Sequence, residues 1–158
     1  METYDLSLHK HYVPISPEQE IDICAVLHKR NIHKDGLLRL REDDLIIVTQ
    51  GLLVKIDEQT GKAQHFIAEN DIAIYPPLDS PYYLQSIETS RLQYIHHEGI
   101  LKLIDKYPHW QPLYYTMLRF WSYQRIYRAK LLELPAIDRK EAFYQYFKDI
   151  TKVRKKSA

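Results

Sequence analysis

The sequence has few of the features that mark several common classes of protein. It contains one cysteine, Cys24, in 158 residues, so no disulfide can form within the chain, and a reducing cytoplasm is the expected compartment. Acidic and basic residues nearly cancel at a formal net charge of +1, which gives no general affinity for nucleic acid or anionic membrane. No apolar run approaches the ~20 residues of a membrane-spanning helix. The first ten residues, broken by charged side chains, lack a signal-peptide core.

Glycine is also scarce, with four residues, none of them clustered. A Walker loop, a glycine-rich dinucleotide turn, a nucleophile elbow and an HExxH run are all absent from the sequence. The adjacent carboxylates Asp43 and Asp44 fall between two apolar runs, where solvated turn residues are the better interpretation. We therefore expect no catalytic residue, no enzyme activity and no cofactor.

Eight histidines raise the question of a metal site. His9 and His11 form the best geometric pair, but they lack a third ligand at short spacing. His96 and His97 are adjacent, and adjacent side chains on a strand point to opposite faces. We expect surface histidines, no bound metal and, because the metal-binding pattern of cupins is missing, no cupin-like enzyme.

Short apolar runs are what the sequence does have, and between His33 and Tyr75 each is bounded by Gly, Asp or Asn. Three of the four glycines, Gly36, Gly51 and Gly61, fall at these corners. This pattern predicts short antiparallel strands joined by tight turns. Three prolines between residues 76 and 81 predict a loop, and the apolar positions of residues 84–95 predict further strands.

A helix is predicted ahead of the strands, from Ser16 to His28. Ser16 is a plausible N-cap, Pro17 suits the first helical position, and Gln19 lies three residues after the cap. We assign its buried face to Ile21, Cys24, Ala25 and His28, and interpret Cys24 as a packing residue.

Further helices are predicted after the strands, at Glu98–Lys106, Trp110–Leu134 and Asp138–Asp149. The second has an a/d heptad seam over about three heptads, beside a second apolar line of Tyr114, Leu118 and Trp121. We assign that line to the strand core and the seam to a partner helix in a homodimer. The expected dimer interface consists of Leu113, Met117, Phe120, Gln124, Tyr127 and Leu131. The predicted domains are residues 1–106, 107–136 and 137–158, the last with a basic tail.

The order and spacing of these segments resemble the cyclic-nucleotide-binding domain of CRP/FNR-type bacterial regulators. In that family a Lys-x-Gly turn opens a β-roll, an apolar strand runs into a Gly-Leu corner, and a hairpin ending in Gly-Lys follows. The corresponding residues here are Lys34-Asp35-Gly36, Gly51-Leu52 and Gly61-Lys62. The resemblance covers about residues 5–148. It implies a mainly β fold with flanking helices, a double-stranded β-helix of the jelly-roll type, and a long C-terminal dimerisation helix.

The same resemblance implies that the nucleotide site is degenerate. In nucleotide-binding members the loop between the two halves of the roll carries a Gly-Glu pair for the ribose and an arginine for the cyclic phosphate. Alignment of residues 86–90 with the family's Ala-Leu-Glu-Asp-Ser segment places Ser80 at the arginine position. Counting forward from Asn70-Asp71 places Ala73-Ile74 at the Gly-Glu pair. We therefore expect no cAMP or cGMP, and either no ligand or an apolar or aromatic effector. The candidate pocket residues are Ile74, Tyr75, Ser80, Tyr82 and Tyr83.

Regulators of this type continue into a helix-turn-helix domain, and residues 131–144 resemble the hinge that leads to it. The residues after Asp149 cannot supply the helices of such a reader, so we expect no sequence-specific DNA binding by this chain alone. The expected function is an effector-sensing and dimerisation module in transcriptional regulation. The alternative is a small-molecule-binding protein that uses the roll for an apolar or aromatic effector.

Overall fold

The computed structural model describes residues 15–119, 121–122, 135–138 and 141. Within this part the chain forms two four-stranded antiparallel sheets, with strand orders β1-β8-β3-β6 and β2-β7-β4-β5. Because strands from both halves of the sequence alternate within each sheet, the structure is the predicted β-roll with flanking helices. The strands are β1 Leu27–Ile32, β2 Leu37–Leu38, β3 Leu45–Gln50, β4 Leu52–Asp57, β5 Ala63–Ala68, β6 Ile72–Ile74, β7 Tyr82–Ser86 and β8 Ser90–Ile95.

The first helix, α1, spans Pro17–Val26 and has the predicted N-terminal cap. The Gln19 N–H donates to Ser16 Oγ at 3.2 Å, and the Ser16 N–H donates to Gln19 Oε1 at 2.9 Å. The predicted end at His28 is wrong, because residues 27–32 pair with residues 90–95 of β8, which satisfies their backbone groups as a strand. The predicted apolar face is wrong for Ile21, which is 69% exposed, and for Ala25 and His28, which are also exposed. Ile23 is the buried residue, and Cys24 packs partly against the same core, as predicted.

Two apolar clusters form the core, one inside the roll and one between the first sheet and the helices. Strand β3 separates them, because Ile46 and Val48 face the interior while Leu45 faces the helices. The interior cluster consists of Ile32, Leu38, Ile46, Val48, Leu53, Ile67, Ala73, Tyr75, Leu84, Leu92, Tyr94 and Trp121. The helix-side cluster consists of Ile23, Leu27, Leu45, Ile95, Ile100 and Trp110.

A glycine corner joins β3 to β4 against the turn between β7 and β8. Gly51 has a φ of +100°, and a Cβ built there would lie 2.8 Å from the Ser90 Cα. The Leu52 N–H donates to Ser90 Oγ at 3.1 Å, and the hydroxyls of Ser86 and Ser90 lie 2.8 Å apart. Both hydroxyls also bond to the Glu88 carbonyl oxygen. Buried hydroxyls therefore fix a corner that only glycine fits.

The segment after the roll begins with helix α2, His97–Lys106, close to the predicted bounds. A 3-10 turn, Pro108–Trp110, leads into helical residues 111–119 and 121–122. Trp121 packs in the interior cluster and Tyr114 against the helix-side cluster, as predicted for the second apolar line. The remainder of the predicted long helix lies outside the described residues, so the dimerisation helix stays a prediction. The same holds for His9, His11, most of the predicted last helix and the basic tail.

Candidate functional site

One wall of the roll interior carries two buried titratable side chains. Lys55 on β4 is paired with His65 on β5 and with Leu84 on β7. Lys55 is 8% exposed and His65 is 2% exposed. Side chains alternate between the faces of a strand, so Lys55 lies on the same inward face as Leu53. A titratable pair therefore lies on the same face as Leu53, Ile67 and Leu84, beside the buried hydroxyl of Ser86.

Aromatic rings surround this pair. The Lys55 Nζ lies 4.3 Å from the centroid of the Tyr82 ring, within range of a cation–π interaction. The ring of Trp121 meets His65 edge-on, with the centroids 4.7 Å apart and the planes at 83°. Trp121 comes from the helical segment that follows the roll, so the wall is in direct contact with that helix. We call Lys55, His65, Tyr82 and Trp121 the inner-wall cluster.

The five predicted pocket residues are not brought together as one lining. Tyr75 points into the interior, where its hydroxyl donates to the Leu38 carbonyl oxygen at 3.1 Å. Ile74 packs between the interior and helix-side clusters. Tyr82 faces Lys55, and alternation along β7 places its neighbour Tyr83 on the opposite face. Ser80 lies in the loop. Tyr75 and Tyr82 are thus the two that belong to the roll interior.

Lys55 and His65 were missed by the sequence reasoning. The expectation that histidines lie at the surface is wrong for His65, since β5 turns this side chain into the core beside Ile67. A signal was present for Lys55, because a lysine inside the apolar run from Leu52 to Ile56 shares the alternation of Leu53.

The connection between β6 and β7, residues 75–81, is the position at which the resembled family holds phosphate. It is a loop with neither helix nor strand. Ser80 bonds internally, with its N–H and hydroxyl donating to the Pro77 carbonyl oxygen at 3.0 and 2.7 Å. The Leu78 N–H donates to the Glu42 carboxylate at 3.2 Å. The Leu78 N–H is therefore already used by a carboxylate of the protein.

A second polar cluster lies where β3 begins. Asp44 is fully buried, and both of its carboxylate oxygens lie 3.0 Å from His96 Nδ1. The Arg41 N–H donates to the same carboxylate at 3.1 Å. The interpretation of Asp44 as a solvated turn residue is wrong, because this carboxylate is buried and accepts a hydrogen bond from the backbone of the turn before β3. Across the described ranges, no three metal-ligating side chains come together at a potential ion site.

An ion-pair cluster connects the two helices that flank the first sheet. The Lys106 Nζ lies 2.6 Å from Asp22 Oδ2, and the Tyr107 hydroxyl donates to the same oxygen. The bond from Lys106, with that from Tyr107, holds the pKa of Asp22 below its ordinary value. The bond to Asp22 raises the pKa of both Lys106 and Tyr107. Burial raises the pKa of the Cys24 thiol, in keeping with a packing role.

An open groove of about 430 Å³ lies on the outer face of the first sheet. Its lining carries two cations, Lys29 and Arg91, and no carboxylate. Inward-facing Leu92 and Tyr94 alternate with the outward-facing residues of β8, so this groove lies on the opposite side of the sheet from the roll interior. It is therefore a polar surface on the outside of the roll.

Neither a family model nor a curated protein matches the sequence. Solved structures do share the fold, at low sequence identity. A double mutant of CooA from Carboxydothermus hydrogenoformans superimposes with a TM-score of 0.60 and 11% identity over 92% of this chain and 99% of that one. Oxidized CprK in complex with o-chlorophenolacetic acid gives 0.54 and 12% over 77% of this chain and 54% of that one.

A channel fragment shares the fold as well. The C-linker/CNBHD of zELK channels, crystallized in the presence of cAMP, gives a TM-score of 0.57 at 10% identity over 77% of this chain. The chain spans 65% of the length of that fragment. None of the helices described here is both long and apolar enough to cross a bilayer.

These superpositions show that the chain has the fold of the cyclic-nucleotide-binding domains of CRP/FNR-type regulators and KCNH channels, which confirms the resemblance inferred from its sequence.

Proposed function

We propose that this chain is an effector-sensing module in which the β-roll binds a small organic molecule and the following helix responds to it. The observation that carries the proposal is the position of Trp121. Its side chain comes from the helical segment after the roll, is 8% exposed and packs in the roll's interior cluster against His65.

This packing supports a mechanical link between the roll and the helix. Tyr114 and Met117, on the same helical segment, pack against the helix-side cluster, so the segment contacts both cores. Interiors are close-packed, and a ligand that enters the roll must displace or reorient Trp121. Such a ligand has a different affinity for the two helix positions, which is the thermodynamic requirement for a switch.

The effector in this proposal is apolar or aromatic rather than a cyclic nucleotide. The loop of residues 75–81 supplies neither an arginine nor a helix N-terminus for a cyclic phosphate. Aromatic side chains, Tyr75, Tyr82 and Trp121, face the interior instead. The CprK structure contains o-chlorophenolacetic acid, so one protein of this fold has been solved with an aromatic acid.

We further propose that the chain forms a homodimer through Trp110–Leu134 and acts in transcriptional control, with DNA read by a partner or by a domain outside this chain. The heptad seam supports the dimer. Met117 packs partly against its own chain, so the contact in this proposal is centred on the later seam positions from Phe120 onward. Catalysis forms no part of the proposed role.

Native mass spectrometry of the purified protein tests the proposal by detecting a co-purified small molecule. Indole Nε1–H signals in NMR, assigned with Trp110→Phe and Trp121→Phe variants, then report whether added ligands reach the roll. We expect the Trp121 signal to move and the Trp110 signal to stay. Retention of a ligand with no change at Trp121 favours the alternative, a small-molecule-binding protein without a switch. No retained ligand and no response to aromatic compounds would contradict both.

A further inference from the structure

We propose that the groove on the outer face of the first sheet binds a small polar organic phosphate, and that the Arg91 guanidinium group holds the phosphate. The inference goes beyond the proposed function, because this groove lies on the opposite side of the sheet from the roll interior. It is carried by the position of Arg91 between two amide side chains on a rigid sheet face.

Arg91 occupies the middle of a row of residues that crosses three strands. On β8 it is paired with Asn31 of β1 on one side and with Gln50 of β3 on the other. All three residues are exposed, and all three line the groove. Neighbouring strands lie about 4.8 Å apart, so the guanidinium group has an amide side chain on each flank. The row therefore offers several N–H donors to one ligand.

A β-bulge sets the composition of this row. The pairing of β3 with β8 shifts between Val48 and Gln50, so Thr49 is the extra residue. The Thr49 hydroxyl donates to the Arg91 carbonyl oxygen at 3.0 Å, which ties the bulge to the backbone of β8. Bulges recur beside functional sites because they redirect side chains. Here the bulge places Gln50, rather than Thr49, opposite Arg91.

The Arg91 side chain is available to a ligand. None of the ion pairs among the described residues uses its guanidinium group, and the groove lining contains no carboxylate that would compete for it. Lys29 and Gln93 have interactions of their own. Lys29 therefore adds a second positive charge to the groove, while Arg91 is the anchor.

The lining determines the class of ligand. A guanidinium group binds two phosphate oxygens at once, and the amides of Asn31 and Gln50 supply donors and acceptors for the remaining oxygens and for hydroxyl groups of the ligand. The volume of about 430 Å³ lies within the range of small-molecule sites. Two cations are few for a nucleic-acid backbone, which is held by many phosphate contacts. A compact phosphate monoester with a hydroxylated body fits best.

Calorimetry on the purified chain in phosphate-free buffer compares glucose 6-phosphate, glucose and inorganic phosphate. We expect glucose 6-phosphate to bind at least tenfold tighter than either of the others, and tenfold corresponds to about 1.4 kcal/mol. Arg91→Gln should abolish this preference, and Arg91→Lys, which keeps the charge but loses the bidentate geometry, should weaken it. Arg39→Gln, at an exposed position outside the groove lining, is the matched control and should behave as the wild type.

Three results overturn the inference: equal binding of glucose 6-phosphate and glucose, a preference that survives in Arg91→Gln, and no binding of glucose 6-phosphate. Inorganic phosphate that binds as tightly as glucose 6-phosphate would indicate an adventitious ion only, which also overturns it. Should Arg91→Gln not fold, Asn31→Leu removes a flanking amide and should weaken the binding of glucose 6-phosphate.

The indole signal of Trp121 separates this site from the proposed effector site. It should stay unchanged in NMR spectra during the titration with glucose 6-phosphate, because the groove lies outside the roll. A shift of that signal would mean that the probe enters the roll, which contradicts the groove as its site. Failure of the groove to bind leaves the proposed function standing, since the effector test uses aromatic compounds and the roll interior.

Discussion

Replacing Gly51 by alanine should destabilise the roll far more than the same change at Gly61. Both glycines have positive φ, +100° and +66°, where a Cβ costs roughly 1–2 kcal/mol. The surroundings differ. At Gly51 the new Cβ would lie 2.3 Å from Ser90 Oγ and 2.8 Å from Ser90 Cα, whereas at Gly61 nothing lies within 4 Å. The clash at Gly51 involves backbone, so rotation of the serine side chain cannot relieve it.

The magnitude follows from adding the separate effects. Overpacking of a tight site costs about 1–3 kcal/mol, so Gly51→Ala should lose roughly 2–5 kcal/mol in the free energy of unfolding. For Gly61→Ala the strain is partly offset by about 0.4–1 kcal/mol from the reduced entropy of the unfolded chain. The expected cost is therefore at most about 1.5 kcal/mol.

Urea unfolding followed by circular dichroism measures both variants. At a mid-range slope of about 2 kcal/mol per molar urea, the middle of the expected ranges separates the two midpoints by roughly 1 M. Equal midpoints for the two variants, or a Gly51→Ala midpoint close to that of the wild type, would refute the reasoning about the Ser90 contact.

Further predictions concern the ion-pair cluster between the two helices, the dimer, cyclic-nucleotide binding and DNA binding. Asp22→Asn should lower the urea midpoint of unfolding at pH 7, because the pKa of Asp22 in the folded protein is depressed below 3.8. The difference from the wild-type midpoint should shrink as the pH falls below that value. The control, Asp105→Asn at an exposed position, should not show this pH dependence. Phe120→Glu combined with Leu131→Glu should yield monomers in light scattering through buried like charges, whereas exposed Ser122→Glu should leave the mass unchanged. Calorimetry with cAMP should give a dissociation constant above ~50 μM, because loss of a bidentate anchor costs roughly 2–5 kcal/mol. Selection from random duplexes at ~150 mM salt should enrich no motif, since a basic tail contacts phosphates only.

Local signals account for the parts of the fold that could be predicted. Glycine permits a positive φ at the corners and proline fixes φ in the connecting loop, so the roll and its loop could be predicted from single positions. The Ser16 cap is equally local. The end of α1 could not be predicted in this way, because residues 27–32 pair with β8, about sixty residues away in sequence. Pairing with a distant strand overrides a helical pattern that is otherwise continuous.

Buried polar residues were the main failure of the sequence reasoning. A lysine, a histidine and an aspartate are usually exposed, so Lys55, His65 and Asp44 were treated as surface residues or left aside. Their burial depends on which face of a strand or turn meets the core, and this depends on register. A shift of the register by one residue moves every side chain of a strand to the opposite face. The register is known only from the strand pairing in the structure.

The packing of Trp121 in the roll interior accounts for how the proposed sensing role can operate without nucleotide anchors in the loop. An anion site built from a loop needs free N–H groups and a specific backbone shape, and three prolines between residues 76 and 81 remove both. A site inside the roll is instead lined by side chains on rigid strands, which require no particular loop shape. Trp121 contacts the same wall through His65. In the proposed function, a ligand in the roll interior would therefore act on the helix through this wall, with no movement of the loop.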